Sequence, residues 1–423
     1  MVPNGWLKTD LNPFIDIKHG FAFKSEYFRE EGEYVLLTPG SFYEPGGFRD
    51  QKSKTKYYVG DIPKGYLLSK GELLVAMTEQ AAGLLGSTLF VPSHDRYLHN
   101  QRLGLIQIKD KNGICPEFLY LTYNSPYVRK QIAEQSTGTK VKHTSPDKLK
   151  SVICLLPPLP EQRKIAQILS TWDRGIATTE KLIDASKQQK KALMQQLLTG
   201  KKRLVDPETG KAFEGEWEEV RLIDTVSKEK YSFTGGPFGS DLKSSDYTEN
   251  GVRIIQLQNI GDGTFHNSYQ IFTSQEKADE LVSCNIFPDD IIISKMGDPV
   301  ARATLIPHIH QRYLMASDGI RLAIDKSKYN NRFILETINY REFRNNALAK
   351  STGSTRRRIG LTDLKNIKFR VPELIEQQKI ASVLTAADKE IELLEAKLAH
   401  FKQEKKALMQ QLLTGKRRVS LSS

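Results

Sequence analysis

Two short basic segments have the residue types and spacing that bind phosphate groups. Residues 139–143 read Thr-Lys-Val-Lys-His, and residues 354–358 read Ser-Thr-Arg-Arg-Arg. Lysine and arginine can neutralise phosphates and release counterions, and hydroxyl groups add hydrogen bonds to phosphate oxygens. The alternative interpretation is a pair of solvated loops. The three consecutive arginines favour DNA, and the net charge of +12 agrees with a polyanionic partner.

Other loop residues carry side chains that can read the edges of bases. Asn100-Gln101-Arg102 and Ser317-Asp318 are such groups, although each alone is a weak signal because surface loops are rich in these residue types. We predict the following DNA-binding residues, which are spread over both halves of the chain: Lys24, Ser25, Asn100, Gln101, Arg102, Lys140, Lys142, Ser240, Lys243, Ser244, Lys295, Arg302, Arg356, Arg357 and Arg358.

The sequence lacks the motifs of enzymes that act on nucleotides or nucleic acids. It contains no G-x-x-x-x-G-K-[ST] phosphate loop, no G-x-G-x-x-G after a strand and no Asn/Asp-Pro-Pro-aromatic tetrad that would hold a base for amino-methylation. Pro288-Asp289 has no following Asp/Glu-x-Lys, and His308-Ile-His310 has no nearby cysteine or second histidine pair. We therefore predict a binding protein that is not an enzyme, with no metal site and no cofactor of its own.

The composition predicts a cytoplasmic protein with more than one domain. A chain of 423 residues can form two or more hydrophobic cores. No stretch approaches the roughly 18 consecutive apolar residues of a membrane span. The cysteines Cys115, Cys154 and Cys284 are odd in number and far apart, which favours a reducing compartment over a disulfide framework.

Each basic segment is followed by a long tail, and the two tails repeat one another. The residues KKALMQQLLTG at 190–200 recur at 405–415, and about half of the positions from 149 to 203 match 364 to 418 without a gap. Ser-Thr-Gly also precedes each basic segment. The chain is therefore an internal tandem duplication, with a period far longer than that of a solenoid.

Each tail is predicted to form one long helix. In the first tail, Pro160 suits the first turn and Gly200 the end, which gives a helix of about 60 Å. Apolar residues recur at alternating steps of four and three, which indicates a coiled-coil seam; the alternative is two helices that each pack on their own domain. Thr179, Ser186 and Lys190 also fall in the seam, where they would weaken it but fix its register. The predicted apolar seam residues are Ile165, Leu169, Trp172, Ile176, Ile183, Leu193, Leu197, Ile380, Leu384, Ile391, Leu394, Leu398, Phe401, Leu408 and Leu412.

The arms that precede the tails read as mixed α/β domains. Strand-like runs lie at 34–37, 73–77 and 104–108 in the first arm and at 252–257, 290–295 and 319–324 in the second. One helix is predicted before each Ser-Thr-Gly, at 116–135 and 331–350. The predicted segments are arms at 1–150 and 211–365 and tails at 151–210 and 366–423, in an α+β fold.

Two variable arms, each followed by such a tail, resemble the specificity subunit of type I restriction–modification systems. The tails read LPPLPEQRKIAQILSTWDRGI and VPELIEQQKIASVLTAADKEI, and each continues into LLTGK. The segments GFAFKSEYF and GGPFGSDLKSSDY resemble the start of the target-recognition domains of that family, although the first arm lacks G-P-F-G-S.

The resemblance implies that each arm is a target-recognition domain that reads one half of a bipartite, asymmetric site in double-stranded DNA. The tails would be spacer helices that form an antiparallel coiled coil with pseudo-two-fold symmetry, hold the arms apart and dock two methyltransferase subunits. S-adenosylmethionine would bind to those subunits, and ATP and Mg to restriction (motor) subunits; no membrane is involved.

Two other functions stay open at this point. One is a specificity subunit whose partner fuses the methylase and the nuclease in one chain. The other is a stand-alone DNA-binding adaptor or transcription regulator, which would bind DNA without a methyltransferase.

Overall fold

The computed structural model describes residues 2–79, 83–353 and 356–421. The chain divides into two compact units: the first unit comprises residues 1–180 and 396–423, and the second unit comprises residues 181–395. This division differs from the four predicted segments because each long helix contributes to both units. Among the described residues, no helix is long and apolar enough to cross a membrane.

The described residues of the first unit's arm form thirteen strands in four sheets. A four-stranded antiparallel sheet has the order β2-β11-β7-β9, and a five-stranded sheet has the order β3-β5-β4-β10-β6, in which β4 and β10 are parallel. Two-stranded pairs form between β1 and β13 and between β8 and β12. The strands are β1 (Leu7–Thr9), β2 (Ile15–His19), β3 (Phe28–Arg29), β4 (Tyr34–Leu36), β5 (Tyr57–Tyr58), β6 (Leu67–Leu68), β7 (Leu73–Ala76), β8 (Thr78–Glu79), β9 (Thr88–Phe90), β10 (Tyr97–Leu98), β11 (Leu103–Ile108), β12 (Lys142–His143) and β13 (Cys154–Leu156).

The arm of the second unit repeats this topology strand for strand, apart from the β8–β12 pair. Its sheets have the orders β15-β23-β20-β21 and β16-β18-β17-β22-β19, and β14 pairs with β24. Strands β17 and β22 form the parallel pair, as β4 and β10 do in the first arm. The strands are β14 (Glu218–Arg221), β15 (Phe233–Gly235), β16 (Tyr247–Thr248), β17 (Val252–Ile255), β18 (Ile271–Thr273), β19 (Asn285–Ile286), β20 (Ile291–Ser294), β21 (Ala303–Leu305), β22 (Tyr313–Met315), β23 (Gly319–Leu322) and β24 (Lys368–Val371).

The predicted strands are confirmed, because each of the six predicted runs coincides with one strand to within two residues at either end. They belong to the buried part of each arm: the residues of β7 and β20 are buried at every position. Strands that are covered on both faces are apolar throughout, which is why these runs stand out in the sequence. The duplication therefore extends beyond the tails, into arms whose sequences show little of it.

The prediction of one helix before each Ser-Thr-Gly is wrong, because two helices occupy each place. In the first arm the helix ends before Ser125, whose side chain accepts a hydrogen bond from the Val128 N–H, and Pro126 begins the next helix because proline suits the first turn. In the second arm Tyr340 has an extended backbone and separates the two helices. The short helices are α1 (Pro116–Tyr123), α2 (Pro126–Glu134), α3 (Pro146–Lys150), α5 (Gln275–Glu280), α6 (Asn331–Asn339), α7 (Arg341–Ala349) and α8 (Leu361–Lys365).

The predicted long helices are confirmed as α4 (Leu159–Leu197) and α9 (Leu374–Leu413). Gly200 and Gly415 follow them with φ of +67° and +66°, the left-handed conformation that ends a helix. All fifteen predicted apolar seam residues are buried or half-buried, as are Thr179, Ser186 and Lys190.

The two helices run antiparallel within each unit. In the first unit Asp173 and Glu180 of α4 pair with Lys405 (2.5 Å) and Lys402 (2.7 Å) of α9, and the Trp172 ring packs on Phe401 at 5.6 Å. In the second unit the pairs are Lys187 with Glu395 (2.6 Å) and Lys190 with Asp388 (2.7 Å). As the residue number rises along α4 it falls along α9, which confirms a coiled coil over separately packed helices.

A repeated Glu-Gln dipeptide joins the arm of the first unit to both helices. Glu161 accepts hydrogen bonds from Trp6 Nε1 (3.2 Å) and from Arg418 Nε (3.0 Å), beyond the end of α9. Gln162 accepts a bond from the Cys115 N–H (3.0 Å), just before α1. The start of α4 therefore binds the arm and the segment after the end of α9.

The second unit repeats this junction with the helices exchanged. Glu376 at the start of α9 pairs with Arg203 (2.7 Å), which follows the end of α4. Gln377 accepts a bond from the Asn330 N–H (2.9 Å), just before α6. The third residue after each repeated LLTG is an arginine, and it binds the glutamate of the other copy.

Candidate nucleic-acid interface

The basic segment of the second unit is fixed by backbone pairing on both sides. Arg358 and Thr352 exchange two backbone hydrogen bonds of 2.9 Å. On the other side, Gly297 N–H donates to the Arg357 carbonyl (3.1 Å), while the Lys295 carbonyl accepts a bond from the next residue after the segment (2.9 Å). Residues 357 and 358 are therefore part of a ladder, whereas residues 354 and 355 of the predicted segment lie outside the described residues.

The repeated Ser-Thr-Gly forms the turn that leads into each basic segment. Gly138 and Gly353 have φ of +100° and +92°, a conformation that side-chain-bearing residues rarely adopt. A Cβ atom at Gly138 would lie 2.1 Å from the Val141 carbonyl oxygen, and one at Gly353 would lie 2.7 Å from the Arg356 carbonyl oxygen. This repeat is therefore a backbone requirement of the turn, and it explains why the glycine recurs.

Three charged side chains of the second unit meet beside this ladder. The guanidinium group of Arg358 forms an ion pair with the Asp318 carboxylate, and Lys295 Nζ donates to the Ser317 carbonyl oxygen (3.1 Å). Burial, and secondarily the positive charge of Arg358, lowers the pKa of Lys295. Lys295 and Arg358 are thus close enough to affect each other electrostatically. The Asp318 carboxylate acts on the pKa of Lys295 in the opposite direction and raises it.

A shallow groove of about 260 Å³ adjoins this cluster. Its lining includes Phe238, Tyr247, Gln256 and Asp318. The Phe238 side chain is 82% exposed, which is unusual for an aromatic residue. The sequence prediction omitted the first three of these residues, and the exposed Gly-Gly-Pro-Phe-Gly segment was the available signal for Phe238.

The first unit has the same backbone arrangement with different side chains. Met77 N–H donates to the Arg102 carbonyl (3.0 Å) and its carbonyl accepts from the Thr144 N–H (3.0 Å), as Lys295 does with Asp318 and residue 359. His143 pairs with Thr137, as Arg358 does with Thr352. Met77, Arg102 and His143 therefore stand where the second unit has Lys295, Asp318 and Arg358.

Most of the other predicted residues of the first arm are at the surface. Lys24 and Ser25 are exposed, and Lys24 precedes a 3₁₀ turn as Lys243 does in the second arm. Lys140 is exposed and Lys142 is half-buried in β12.

Asn100, a predicted DNA-binding residue, is buried, unlike Gln101 and Arg102. Its side chain is only 8% exposed, and its Oδ1 accepts a hydrogen bond from the Arg102 N–H (3.0 Å). A Cβ atom at Gly20 would lie 2.0 Å from the Asn100 carbonyl oxygen, so this stretch is packed tightly against its neighbour. Asn100 shapes the turn, and of the three predicted loop residues only Gln101 and Arg102 are exposed.

The remaining predicted residues of the second arm differ in exposure. Ser240, Lys243 and Ser244 are exposed, as are all three arginines of the basic segment. Arg302 is half-buried, and its Nε is buried with no hydrogen-bond partner among the described residues. Lys295 and Arg358 are predicted residues that lie far apart in the sequence and close together in the structure.

Comparison with known proteins identifies the family. The family described as "Type I restriction modification DNA specificity domain" matches residues 3–187 and 215–403, one copy for each half. The chain is 26% identical over 74% of its length to the type I restriction enzyme MjaVIII specificity subunit of Methanocaldococcus jannaschii, covering 73% of that protein. It is 23% identical over 90% of its length to the EcoBI specificity subunit of Escherichia coli, covering 78% of that protein.

The fold is also shared with solved structures. A type I restriction–modification system S subunit from M. genitalium has a TM-score of 0.59 and 15% identity, over 100% of this chain and 99% of the other. A chain from a study of complex assembly and conformational transition of the type I restriction–modification system has a TM-score of 0.58 and 19% identity, over 99% of this chain and 100% of the other. With two copies of the family domain covering most of its length, this chain belongs to the family of type I restriction–modification DNA specificity subunits.

Proposed function

We propose that each arm reads one half of a bipartite DNA site and that the chain itself catalyses no reaction. The observation that carries this proposal is the pair of matched arms: one topology and one set of backbone hydrogen bonds present different side chains at corresponding positions. A shared backbone that carries different side chains is what two readers of different half-sites require, because base edges are distinguished by side-chain donors and acceptors.

The paired helices would set the distance between the half-sites and provide two similar docking faces for methyltransferase subunits. The crosswise junctions support this role. Glu161 and Glu376, each at the start of one helix, pair with the arginine that follows the end of the other helix, and the adjacent Gln162 and Gln377 each bond to an arm. In this proposal the partner methyltransferases supply S-adenosylmethionine, and restriction subunits supply the ATP- and Mg-dependent motor and nuclease. The proposed site of action is the cytoplasm, where the DNA is.

The test is an exchange of one arm in the assembled complex. Replacing residues 1–156 with the corresponding arm of another family member should change one half of the methylated sequence and leave the other half unchanged. The exchange point follows β13, because β13 pairs with β1 of the same arm and separating them would leave unpaired backbone. The measurement is sequencing of methylated adenines in a host that carries the chimaera and the methyltransferase.

Two results would contradict the proposal. If both halves of the methylated sequence changed, the arms would not be independent readers. If the pure chain, free of partner subunits, methylated or cut DNA, the assignment as a non-catalytic subunit would fail. Whether the partner methylase and nuclease are separate chains or fused is decided by purifying the complex and sizing its subunits.

A further inference from the structure

The three arginines of the basic segment are held differently. Arg358 pairs with the Asp318 carboxylate, and the two side chains are 54% and 18% exposed. Arg356 and Arg357 are exposed and form no ion pair within the described part of the chain. The sequence gives no reason to separate three consecutive arginines, but the structure separates one of them.

The ion pair makes Arg358 a poor ligand for phosphate. Its positive charge is balanced by Asp318, and a phosphate that approached the pair would meet a carboxylate of its own sign. Binding that releases counterions depends on net positive charge, so a neutral pair contributes little to it. Arg357, its exposed neighbour, has no such carboxylate among the described residues and keeps its full charge for phosphate.

The same ion pair suits Arg358 to the uncharged acceptors of a base edge. A guanidinium group has five N–H donors in a rigid fork, and the Asp318 contact uses one side of it at Nη2. The remaining donors match the O6 and N7 acceptors of guanine, the commonest specific contact of arginine in the major groove. A carboxylate that fixes the fork reduces the side-chain entropy that the contact would otherwise cost.

The backbone of both partners is fixed as well. Two hydrogen bonds of 2.9 Å tie Arg358 to Thr352, and the Asp318 carbonyl accepts a bond of 2.7 Å from the Lys295 N–H. Lys295 thus lies beside both members of the ion pair and holds their strands together. The Arg358 side chain is 54% exposed, and the groove that Asp318 lines together with Gln256 and Phe238 is open, so a base edge has room to approach.

We propose that Arg358 reads one guanine in the half-site of the second arm and that Asp318 is the positioning residue for it, while Arg356 and Arg357 neutralise phosphates. The proposal rests on the proposed function, because it needs the second arm to face DNA. The first arm has His143 and Arg102 at the corresponding positions, so its half-site serves as an internal control.

The experiment uses the complete complex with its methyltransferase subunits and DNA duplexes that carry the methylated site. Every guanine in the half-site of the second arm is replaced in turn by 7-deazaguanine, which lacks the N7 acceptor but pairs normally with cytosine. One replacement should weaken binding by the wild-type complex about 10-fold or more, and the Arg358→Ala complex should show no such loss. The Arg358→Ala variant should also accept other bases at that one position, with discrimination reduced about 10- to 100-fold.

The matched variants separate the positioning role from charge. Asp318→Asn should reduce discrimination at the same guanine, yet strengthen binding to all sequences and steepen the salt dependence, because Arg358 regains its net charge. Arg356→Ala and Arg357→Ala should weaken all sequences equally and leave the guanine preference intact. Arg358→Lys keeps the charge but not the fork, so it should lose discrimination while the fold and the salt dependence are retained.

Several outcomes would overturn the proposal. The half-site of the second arm could contain no guanine on either strand. The 7-deazaguanine effects could be equal in the wild type and in Arg358→Ala, or the Arg358→Ala defect could be uniform over all sequences. A failure of the proposed function itself looks different: the complex would then show no sequence-specific methylation that depends on this chain, with or without these substitutions.

Discussion

The two arms have one fold and different chemistry. At three corresponding positions the second arm has Lys295, Asp318 and Arg358, and these side chains form a charged cluster. The first arm has Met77, Arg102 and His143 at those positions, held by the same backbone hydrogen bonds. The comparison teaches that the backbone ladder specifies where the side chains of each arm lie, while their identity is free to vary.

Buried positions of the two units can be compared in the same way, and some are identical while others differ. Glu161 and Glu376 are identical in the two copies and pair with Arg418 and Arg203. His99, which follows β10, corresponds to Met315, the last residue of β22. The identical glutamates show a constraint common to both units. His99 is a titratable group at a position where the second arm has a methionine.

The largest effect is expected at the glutamates of the two Glu-Gln junctions, Glu376 and Glu161. The Glu376 and Glu161 side chains are 2% and 7% exposed, whereas their partners Arg203 and Arg418 are 23% and 43% exposed. Glu376→Ala leaves the more buried arginine without its partner, so we expect a loss of about 3 kcal/mol in the free energy of unfolding. Glu161→Ala should cost a similar amount, about 3 kcal/mol, because the arginine that it leaves is more easily solvated but the buried Trp6 Nε1 also loses its acceptor.

Denaturant unfolding of both variants measures the two losses. Glu373→Ala, at an exposed position just before α9, is the control and should stay within about 0.5 kcal/mol of the wild type. Losses no larger than that of the control in both variants would show that the two junctions do not support the fold.

A second prediction concerns acid pH and only the first arm. Burial lowers the pKa of His99 from 6.5 to about 4. The geometry agrees with a neutral ring, because Nε2 donates to the Leu103 carbonyl oxygen (2.9 Å) and Nδ1 is buried with no partner in the described part of the chain. The unfolded chain therefore binds more protons than the folded one between pH 4 and 6.5, so stability falls as the pH falls through that window.

The expected loss between pH 7 and pH 5 is about 1–2 kcal/mol in the free energy of unfolding. His99→Met, which installs the residue of the second arm, should remove that part of the pH dependence. Thermal unfolding of the two proteins at both pH values checks it; an unchanged pH difference in His99→Met would show that His99 is not its source.

The third prediction concerns phosphate contacts at matched basic positions. Lys142 of the first arm corresponds to Arg357 of the second, since each directly precedes the residue that pairs across the Ser-Thr-Gly turn. Each alanine variant should weaken DNA binding for every sequence, by about 1 kcal/mol, and should reduce the slope of log K against log salt by about 0.9. Titration of the complex at several salt concentrations measures both values.

Lys111→Ala is the control for this pair, because Lys111 is exposed in the turn that follows β11. It should leave the salt slope unchanged. If either variant lost DNA binding only for sequences that differ at one base position, the substituted residue would be a base reader. The two arms would then differ in function at this position as well.

The smallest effect is expected at a buried charge that the second unit alone has. Glu336 of α6 is 4% exposed at its side chain and lies 3.6 Å from Lys190 Nζ and 2.5 Å from Arg332 Nη2. The corresponding residue of α1 in the first unit is Leu121, which is also buried. Glu336→Leu should be neutral or stabilise the protein by up to about 1 kcal/mol, since a buried charge is exchanged for an apolar side chain of similar size.

Denaturant unfolding checks this as well, with Lys190→Met as the matched variant. That variant removes the cation and leaves Glu336 and Asp388 with Arg332 alone, so it should destabilise the protein. Strong destabilisation by Glu336→Leu would instead show that the charged network, and not apolar packing, holds α6 to the coiled coil.

The sequence by itself determined the parts of the fold that depend on local pattern. Apolar residues that recur every 3.5 positions lie on one face of a helix and pack against a second helix. This pattern predicts the coiled coil that α4 and α9 form. The apolar runs predict the buried strands for a different reason, which is that a strand covered on both faces has few polar residues. The broken helices at Ser125 and Tyr340 were missed, although the proline after Ser125 was a usable signal.

The tertiary structure alone decided which distant side chains meet. Asp318 and Arg358 are forty positions apart, and their contact depends on the register between β20, β23 and the basic segment. The burial of Asn100 and the pairing of Glu376 with Arg203 depend on packing in the same way. Local periodicity is written in neighbouring residues, whereas a contact between distant residues follows from the register and packing of whole elements, which a single sequence does not display.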